Sequence, residues 1–455
     1  MIFRSVNPWS GELISETPMM GEKEVQSVLS KSELAFKTWS RTELSQRLNC
    51  LESLGRLIAF NIDLLAFSMS EEMGKPILEA RAEVNKSVSL IDFYCKYSGD
   101  FLAIKNSGAG SKKASIAPYP LGGILLVMPW NFPLWQVLRG AVPALCAGNV
   151  ILLKHAPNVF GFSVKLQQLF NEAGFPEGVF QNLFVDVPAL DGIVSHNSVS
   201  AVSLTGSEAA GRSMAALAGK NLKKCVLELG GSDPFIVLPD ANLETVSKMA
   251  AASRMINTGQ SCIAAKRFLV HESISEAFSE RVSSELDLFR PGNPILEETK
   301  MGPLARPDLV LALEKQLSAS LIAGAKLAYR MEASFPETAS CFLPALLTDV
   351  KPGMPAFDEE TFGPLAVLTS FASIEEAIEL ANSSRYGLGA SVHSENEELA
   401  KEIAGRLECG TVAINSVMRS DPSLPFGGIK ASGFGRELAE EGLAEMVNLK
   451  VIMEP

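Results

Sequence analysis

Gly122-Gly-Ile-Leu-Leu-Val-Met-Pro-Trp-Asn-Phe-Pro133 decides the fold. The apolar run Ile124–Met128 is short for a helix and has the length of a buried strand, and Pro129 ends it. The same unit recurs downstream. Val150–Leu153 is a second run, followed by a loop and a helix-like Phe160–Phe170. Ala201–Leu204 is a third, followed by Thr205-Gly-Ser207 and a helix-like Glu208–Ala218. Short apolar strands that alternate with helices predict βαβ units and a parallel sheet. A second alternating region runs from Lys224–Leu229 through Phe235–Leu238 and Phe268–Val270 to Leu365–Ser370 and predicts a second α/β unit.

Outward from these runs the pattern changes. The first ninety residues read as helices, with Leu44, Leu48, Leu51, Leu54, Leu57 and Ile58 forming one apolar stripe. Residues 101–120 begin polar and Gly/Ser-rich and then alternate as a hairpin does, and Val447–Met453 reads as a strand. Such peripheral strands suit pairing between subunits.

Composition narrows the function. The chain has 455 residues, 47% of them hydrophobic, enough for about three domains. Its 40 basic against 52 acidic residues leave a formal charge of −12, which disfavours nucleic acid and anionic membrane surfaces as partners. The opening MIFRSVNPWSGEL lacks the apolar run of a signal peptide. No apolar stretch is long enough to span a bilayer. Seven scattered cysteines without a CxxC pair fit a reducing cytoplasm. Four scattered histidines without ligand spacing argue against a metal site.

Five segments carry candidate chemistry. Cys262 ends the polar stretch Asn257-Thr-Gly-Gln-Ser-Cys262, a setting for a thiolate nucleophile, although a lone Cys is more often inert and buried. Glu228, in Val226-Leu-Glu-Leu-Gly-Gly231, would serve as a general base if desolvated and would be ordinary if it faced water. Asn131 follows the first strand at its carboxyl end, where ligands of open sheets gather; it is suited to donating to an oxyanion, or merely to capping a turn. Lys154 ends the second strand and could hold ribose or phosphate oxygens, or simply mark the exit to water. Gly206 and Gly211 bracket a strand-to-helix turn that offers free amides to a pyrophosphate, a weak signal taken as spacing alone.

Taken together, the motifs resemble the aldehyde dehydrogenase superfamily over nearly the whole chain. Gly74-Lys-Pro76 with Glu79-Ala80, Pro129-Trp-Asn-Phe-Pro133, Thr205-Gly-Ser207, Leu227-Glu-Leu-Gly-Gly231, Gly259-Gln-Ser-Cys262, Glu359-Glu-Thr-Phe-Gly-Pro364 and Gly427-Gly-Ile-Lys-Ala-Ser-Gly433 occur in the family's order. The resemblance implies an α/β protein with a Rossmann-like cofactor domain (1–100 and 121–229), an α/β catalytic domain (230–425) and β-strand oligomerisation elements (101–120 and 426–455). It implies Cys262 as nucleophile, Glu228 as general base and Asn131 as oxyanion donor. Cofactor contacts fall on Trp130, Lys154, Gly206, Ser207, Glu360 and Phe362, with Pro129, Gly211 and Leu229 beside them. A small-molecule aldehyde, NADP or NAD, and a homo-oligomer, dimer or tetramer, complete the expectation. Pro157 stands where many relatives carry a ribose-binding Glu, so acceptance of NADP is expected. Ile263 follows Cys262, where some relatives carry a second Cys.

Lys154-His-Ala-Pro-Asn158, Lys224 to Val237 and Leu407-Glu-Cys-Gly410 resemble bacterial succinate-semialdehyde dehydrogenases. That implies oxidation of succinate semialdehyde to succinate and a pocket that binds a carboxylate. Arg139 and Ser420 match substrate-binding positions, though Arg139 would also suit a surface ion pair on a helix. A second Arg of some relatives falls on Ile256, for which Arg254 or Arg419 would have to compensate. Dehydrogenases of other small or semialdehyde substrates, CoA-acylating relatives and non-catalytic relatives are the competing readings. The matching Cys262, Asn131 and Glu228 argue against the last, and Glu228 favours water over a thiol as acceptor.

Overall fold

The computed structural model describes residues 2–107 and 113–454. The repeated units build a six-stranded sheet in the order Gly433–Phe434, Lys224–Glu228, Val199–Thr205, Gly123–Met128, Val150–His155, Phe180–Asn182. The last five run parallel, and Gly433–Phe434 joins antiparallel. The central strand is apolar throughout because it feeds two cores at once. Ile124 and Leu126 pack with the helices Ile77–Phe101 and Trp135–Ala147, while Leu125 faces Leu29 and Met214 on the other side.

A seven-stranded sheet follows, in the order Lys326–Arg330, Ala345–Thr348, Leu365–Phe371, Ala265–His271, Asp233–Val237, Gly389–His393, Thr411–Ile414. Only its first pair is antiparallel. It too is covered on both faces: Ile236 and Leu269 enter one core, Phe235 and Phe268 the other. Lys105–Ser107, Lys113–Pro120 and Val447–Glu454 form a separate three-stranded antiparallel sheet.

Two placements differ from expectation. The N-terminus is not helical but a hairpin, Ile2–Val6 against Leu13–Pro18. Its first strand buries Phe3 and Ser5 and exposes Ile2, Arg4 and Val6, so the alternation carries no clean apolar face. Residues 426–446, grouped with the oligomerisation elements, instead close the first sheet through Gly433–Phe434 and pack beside Glu228; only Val447–Glu454 joins the peripheral sheet.

The motif Gly74-Lys-Pro76 fixes the loop after the central strand. Gly74 ends the helix Ile62–Met73 at φ 79°, and a Cβ there would lie 2.7 Å from Pro303. Lys75, fully buried, pairs with Glu83 and lies 3.9 Å from the Phe132 ring centroid. Glu83 accepts from Leu134 N at 2.9 Å and Trp135 N at 3.0 Å, occupying the start of the helix Trp135–Ala147. Glu83→Ala would strand a buried ammonium and two amides. We expect it to lower the unfolding free energy by about 3–5 kcal/mol in a denaturant titration; a loss below about 1 kcal/mol would refute this role.

Candidate active site

The helix Leu243–Met255 runs into a sharp bend where Asn257 (φ 50°, ψ 43°) and Thr258 (φ 56°, ψ 34°) are both left-handed. Gly259 follows at φ 75°, and a Cβ there would stand 2.4 Å from the Gly363 carbonyl carbon. Hydrogen bonds secure the bend. Asn257 N donates to Glu79 Oε2 at 2.7 Å, and Asn257 Nδ2 to Asn131 O at 2.8 Å. Gln260 Oε1 accepts from Ala305 N at 2.9 Å. Lys266 Nζ, fully buried, donates to Ser261 O at 2.8 Å and Cys262 O at 2.7 Å and pairs with Glu360 at 3.3 Å. These contacts fix the backbone of Cys262.

Arg254 belongs to this brace and not to a substrate pocket. It is fully buried, with NH2 donating to Gly259 O at 2.7 Å and Thr361 O at 3.3 Å, and it lines neither cavity beside Cys262. The expectation that it compensates at Ile256 is therefore corrected. Its guanidinium is spent on backbone carbonyls, and burial lowers its pKa to about 9.

Cys262 is half-buried and lines two cavities, of about 240 and 280 Å³. Burial pushes its thiol up to about 12 against the opposing pull of Lys266 and Arg139. Asn131 lines the larger cavity with it. Its amide Nδ2 donates to Gln260 O at 3.0 Å, which leaves the second amide hydrogen free for an oxyanion.

Glu228 ends the strand Lys224–Glu228 and is buried rather than facing water. Burial, then Glu437, raises its pKa well above the carboxylate range, while Arg139 and Arg436 oppose. Its oxygens have no aligned hydrogen bond, although the Gly428 amide is near. The side chain lies against Gly427, where a Cβ would come within 2.8 Å of Oε1, and it lines neither cavity.

The larger cavity gathers Pro129, Trp130, Gly206, Ser207, Leu229, Glu360 and Phe362. Parallel strands bring the first five together at one sheet edge. Ser207 caps the 13-residue helix Glu208–Lys220 by accepting from Ala210 N, so that helix directs its free amides toward this edge. Thr205 Oγ1, buried there, has no partner, and Trp130 meets Phe362 edge-to-face at 5.8 Å. An aromatic wall, a helix N-terminus and an open polar atom fit a dinucleotide. Lys154 lies outside the cavity, buried in Val150–His155. Gly211 also lies outside; a Cβ there would strike Leu229 at 2.4 Å, so it serves close packing.

The smaller cavity holds Arg139, Ser420 and Arg419, and Ile256 contributes an apolar wall. Arg139 is buried, not a surface residue, with NH2 2.8 Å from Glu437 Oε2, a charge contact rather than an aligned hydrogen bond. Its guanidinium also sits 4.9 Å from the Phe426 ring centroid. Sequence reading missed Lys86 in this cavity. Nothing local marks it, because its partner Ser420 is 334 residues away. Glu79 was noted only as part of a motif, yet it lines the same cavity, and burial raises its carboxyl to about 7.

Comparison with known proteins accounts for this arrangement. The model of the aldehyde dehydrogenase family matches residues 1–452. A succinate semialdehyde dehydrogenase, NAD(P)+, of Escherichia coli is 44% identical over 98% of this chain and 97% of its own. A succinate-semialdehyde dehydrogenase, NADP(+), of Deinococcus radiodurans is 40% identical over 99% of this chain and 94% of its own. The crystal structure of a succinic semialdehyde dehydrogenase from Streptococcus pyogenes with NADP+ superposes with a TM-score of 0.97 at 35% identity, covering 100% of both chains. A family match over nearly the whole length, with relatives of this identity and coverage, shows that the chain belongs to the aldehyde dehydrogenase family. Among the described residues no helix is long and apolar enough to cross a membrane, and no group of three or more His, Cys, Asp or Glu is placed to hold a metal.

The raised thiol pKa is directly measurable. Alkylation of Cys262 by iodoacetamide in the cofactor-free protein should be slow at pH 7. It should rise about tenfold per pH unit up to at least pH 10, because the thiolate fraction grows toward a pKa of about 12. A rate that levels off by about pH 8 would contradict it.

Proposed function

We propose that the chain oxidises succinate semialdehyde to succinate with NADP or NAD, through a thioester on Cys262 that water hydrolyses. One observation carries the reading: Cys262 opens on both cavities at once, one fitted to a dinucleotide and one apolar with cations in its wall. The names of the E. coli and D. radiodurans relatives and the NADP+ in the S. pyogenes structure support the choice of substrate and cofactor.

Cys262 Sγ attacks the aldehyde carbon, and the new oxyanion is held by Asn131 Nδ2 and the Cys262 backbone amide. A nicotinamide cofactor held in the larger cavity would supply the hydride acceptor beside Cys262. Trp130, Gly206, Ser207, Glu360 and Phe362 would hold that cofactor, with Pro129, Leu229 and Lys154 at the same strand ends and Gly211 behind Leu229. Glu228 then takes a proton from the water that attacks the thioester, and the acid leaves as the thiol re-forms. A carboxyl whose pKa is raised by burial can accept a proton nearer neutral pH than an ordinary carboxylate. Pro157 in place of a carboxylate removes repulsion toward a 2′-phosphate. Arg139, Arg419 and Ser420 lie in the wall of the smaller cavity, where the substrate carboxylate would sit.

The domain division of 1–100 and 121–229 for cofactor and 230–425 for catalysis belongs to the same reading. So does a homo-oligomer, dimer or tetramer, assembled through the peripheral sheet, whose Leu449, Val451 and Met453 are exposed. Seven free thiols favour a reducing cytoplasm.

Purified protein with succinate semialdehyde and NADP or NAD should form reduced cofactor, followed by absorbance. Cys262→Ala should lose at least about a thousandfold in kcat. Glu228→Gln should keep a first-turnover burst of reduced cofactor and slow every later turnover. No reduced cofactor from succinate semialdehyde or a panel of other aldehydes would defeat the reading.

A further inference from the structure

The smaller cavity contains three cations, and they are not equivalent. Arg139 is compensated: Glu437 sits 2.8 Å from it, and Phe426 covers its face. Arg419 is exposed at the rim, where water screens it. Lys86 differs from both. It is half-buried, its Nζ donates to Ser420 Oγ at 2.8 Å and lies 4.2 Å from the Trp135 ring centroid, and no carboxylate among the described residues lies within ion-pair distance of it. An ammonium partly removed from water and tied only to a hydroxyl and an aromatic face retains unused donors.

We propose that Lys86, with Ser420 as its companion donor, is the residue that binds the carboxylate of the aldehyde substrate and so sets the preference for acidic over neutral aldehydes. It rests on the reading of this cavity as the aldehyde site. Arg139 acts one step back, with its charge balanced by Glu437.

The surrounding charges define a pH signature. Burial lowers Lys86 to about 8, with Arg139 and Arg419 adding to the effect and Glu83, on its own helix, and Asp421, beside Ser420, opposing it. Glu79, one turn further from Glu83 on the same helix, also lines the cavity. Lys86 is therefore charged below about pH 8 and loses its charge above it. In the free enzyme, capture of an anionic aldehyde should weaken as pH rises through that range.

The test compares succinate semialdehyde with butanal, which has the same chain length and no carboxylate. Lys86→Met keeps the length of the stem. It should raise KM for succinate semialdehyde on the order of ten- to hundredfold more than KM for butanal, with a much smaller change in kcat. Lys86→Arg should restore most of the discrimination. In the wild type, the ratio of kcat/KM for succinate semialdehyde to that for butanal should fall above pH about 8, because the thiol affects both substrates alike, and Lys86→Arg should move this fall to higher pH. Discrimination retained in Lys86→Met, or equal losses for both aldehydes, overturns the proposal alone. A wild type that never prefers the charged aldehyde overturns the functional reading and the proposal together.

Discussion

The bend at Asn257 and Thr258 is the constraint on which the site depends. Two consecutive left-handed residues without the freedom of glycine cost about 1–3 kcal/mol each. The surroundings offset this with buried hydrogen bonds, from Asn257 to Glu79 and Asn131 O and between Thr258 and Gly302. Those partners come from the helix Ile77–Phe101, the loop after the central strand, and the segment leading into Leu304 and Ala305. Three separate parts of the chain must be folded before Cys262 takes its position. In return, sulfur and the Asn131 amide are fixed relative to each other before any ligand arrives, which is what oxyanion stabilisation requires.

The second governing factor is dryness. Lys266 lies under the nucleophile with its Nζ on the Cys262 carbonyl and pulls the thiol pKa down, yet burial still carries the thiol up to about 12. Glu228 rises for the same reason, and Glu437 adds to it. Desolvation therefore outweighs the local cations at both groups. Burial thus disfavours the charged form of both the nucleophile and the base before a ligand arrives. Gly427 provides the space in which Glu228 is set aside, and this explains in steric terms why a glycine so far from the nucleophile in sequence belongs to the site.

Much of this was legible beforehand because it is periodic or local. The apolar runs at Ile124, Val150 and Ala201 became parallel neighbours, and Trp130, Gly206, Ser207 and Leu229 meet at one edge because parallel strands end together. What stayed hidden depends on distance or on the backbone. The hairpin Ile2–Val6 buries a serine and exposes apolar residues, so its pattern is masked. The left-handed bend leaves no mark in the letters Asn-Thr, since only context forces them there. Lys86 meets Ser420 across 334 residues, and no spacing rule reaches so far.

The arginines show most clearly why residue type alone is a poor guide to role. Arg139 and Arg254 are both buried, and both were candidates for holding a carboxylate. A buried guanidinium must find partners for its donors, and what it finds decides what it does. Arg254 found the carbonyls of Gly259 and Thr361 and became part of the bend. Arg139 found Glu437, a carboxylate with its own influence on Glu228, and so links the substrate wall to the base. A guanidinium whose charge is already balanced, or whose donors are turned to the backbone, is less free to turn to a ligand. That contrast among the cations, and not their order of prominence in the sequence, is the ground for assigning the carboxylate to Lys86 in the proposal above.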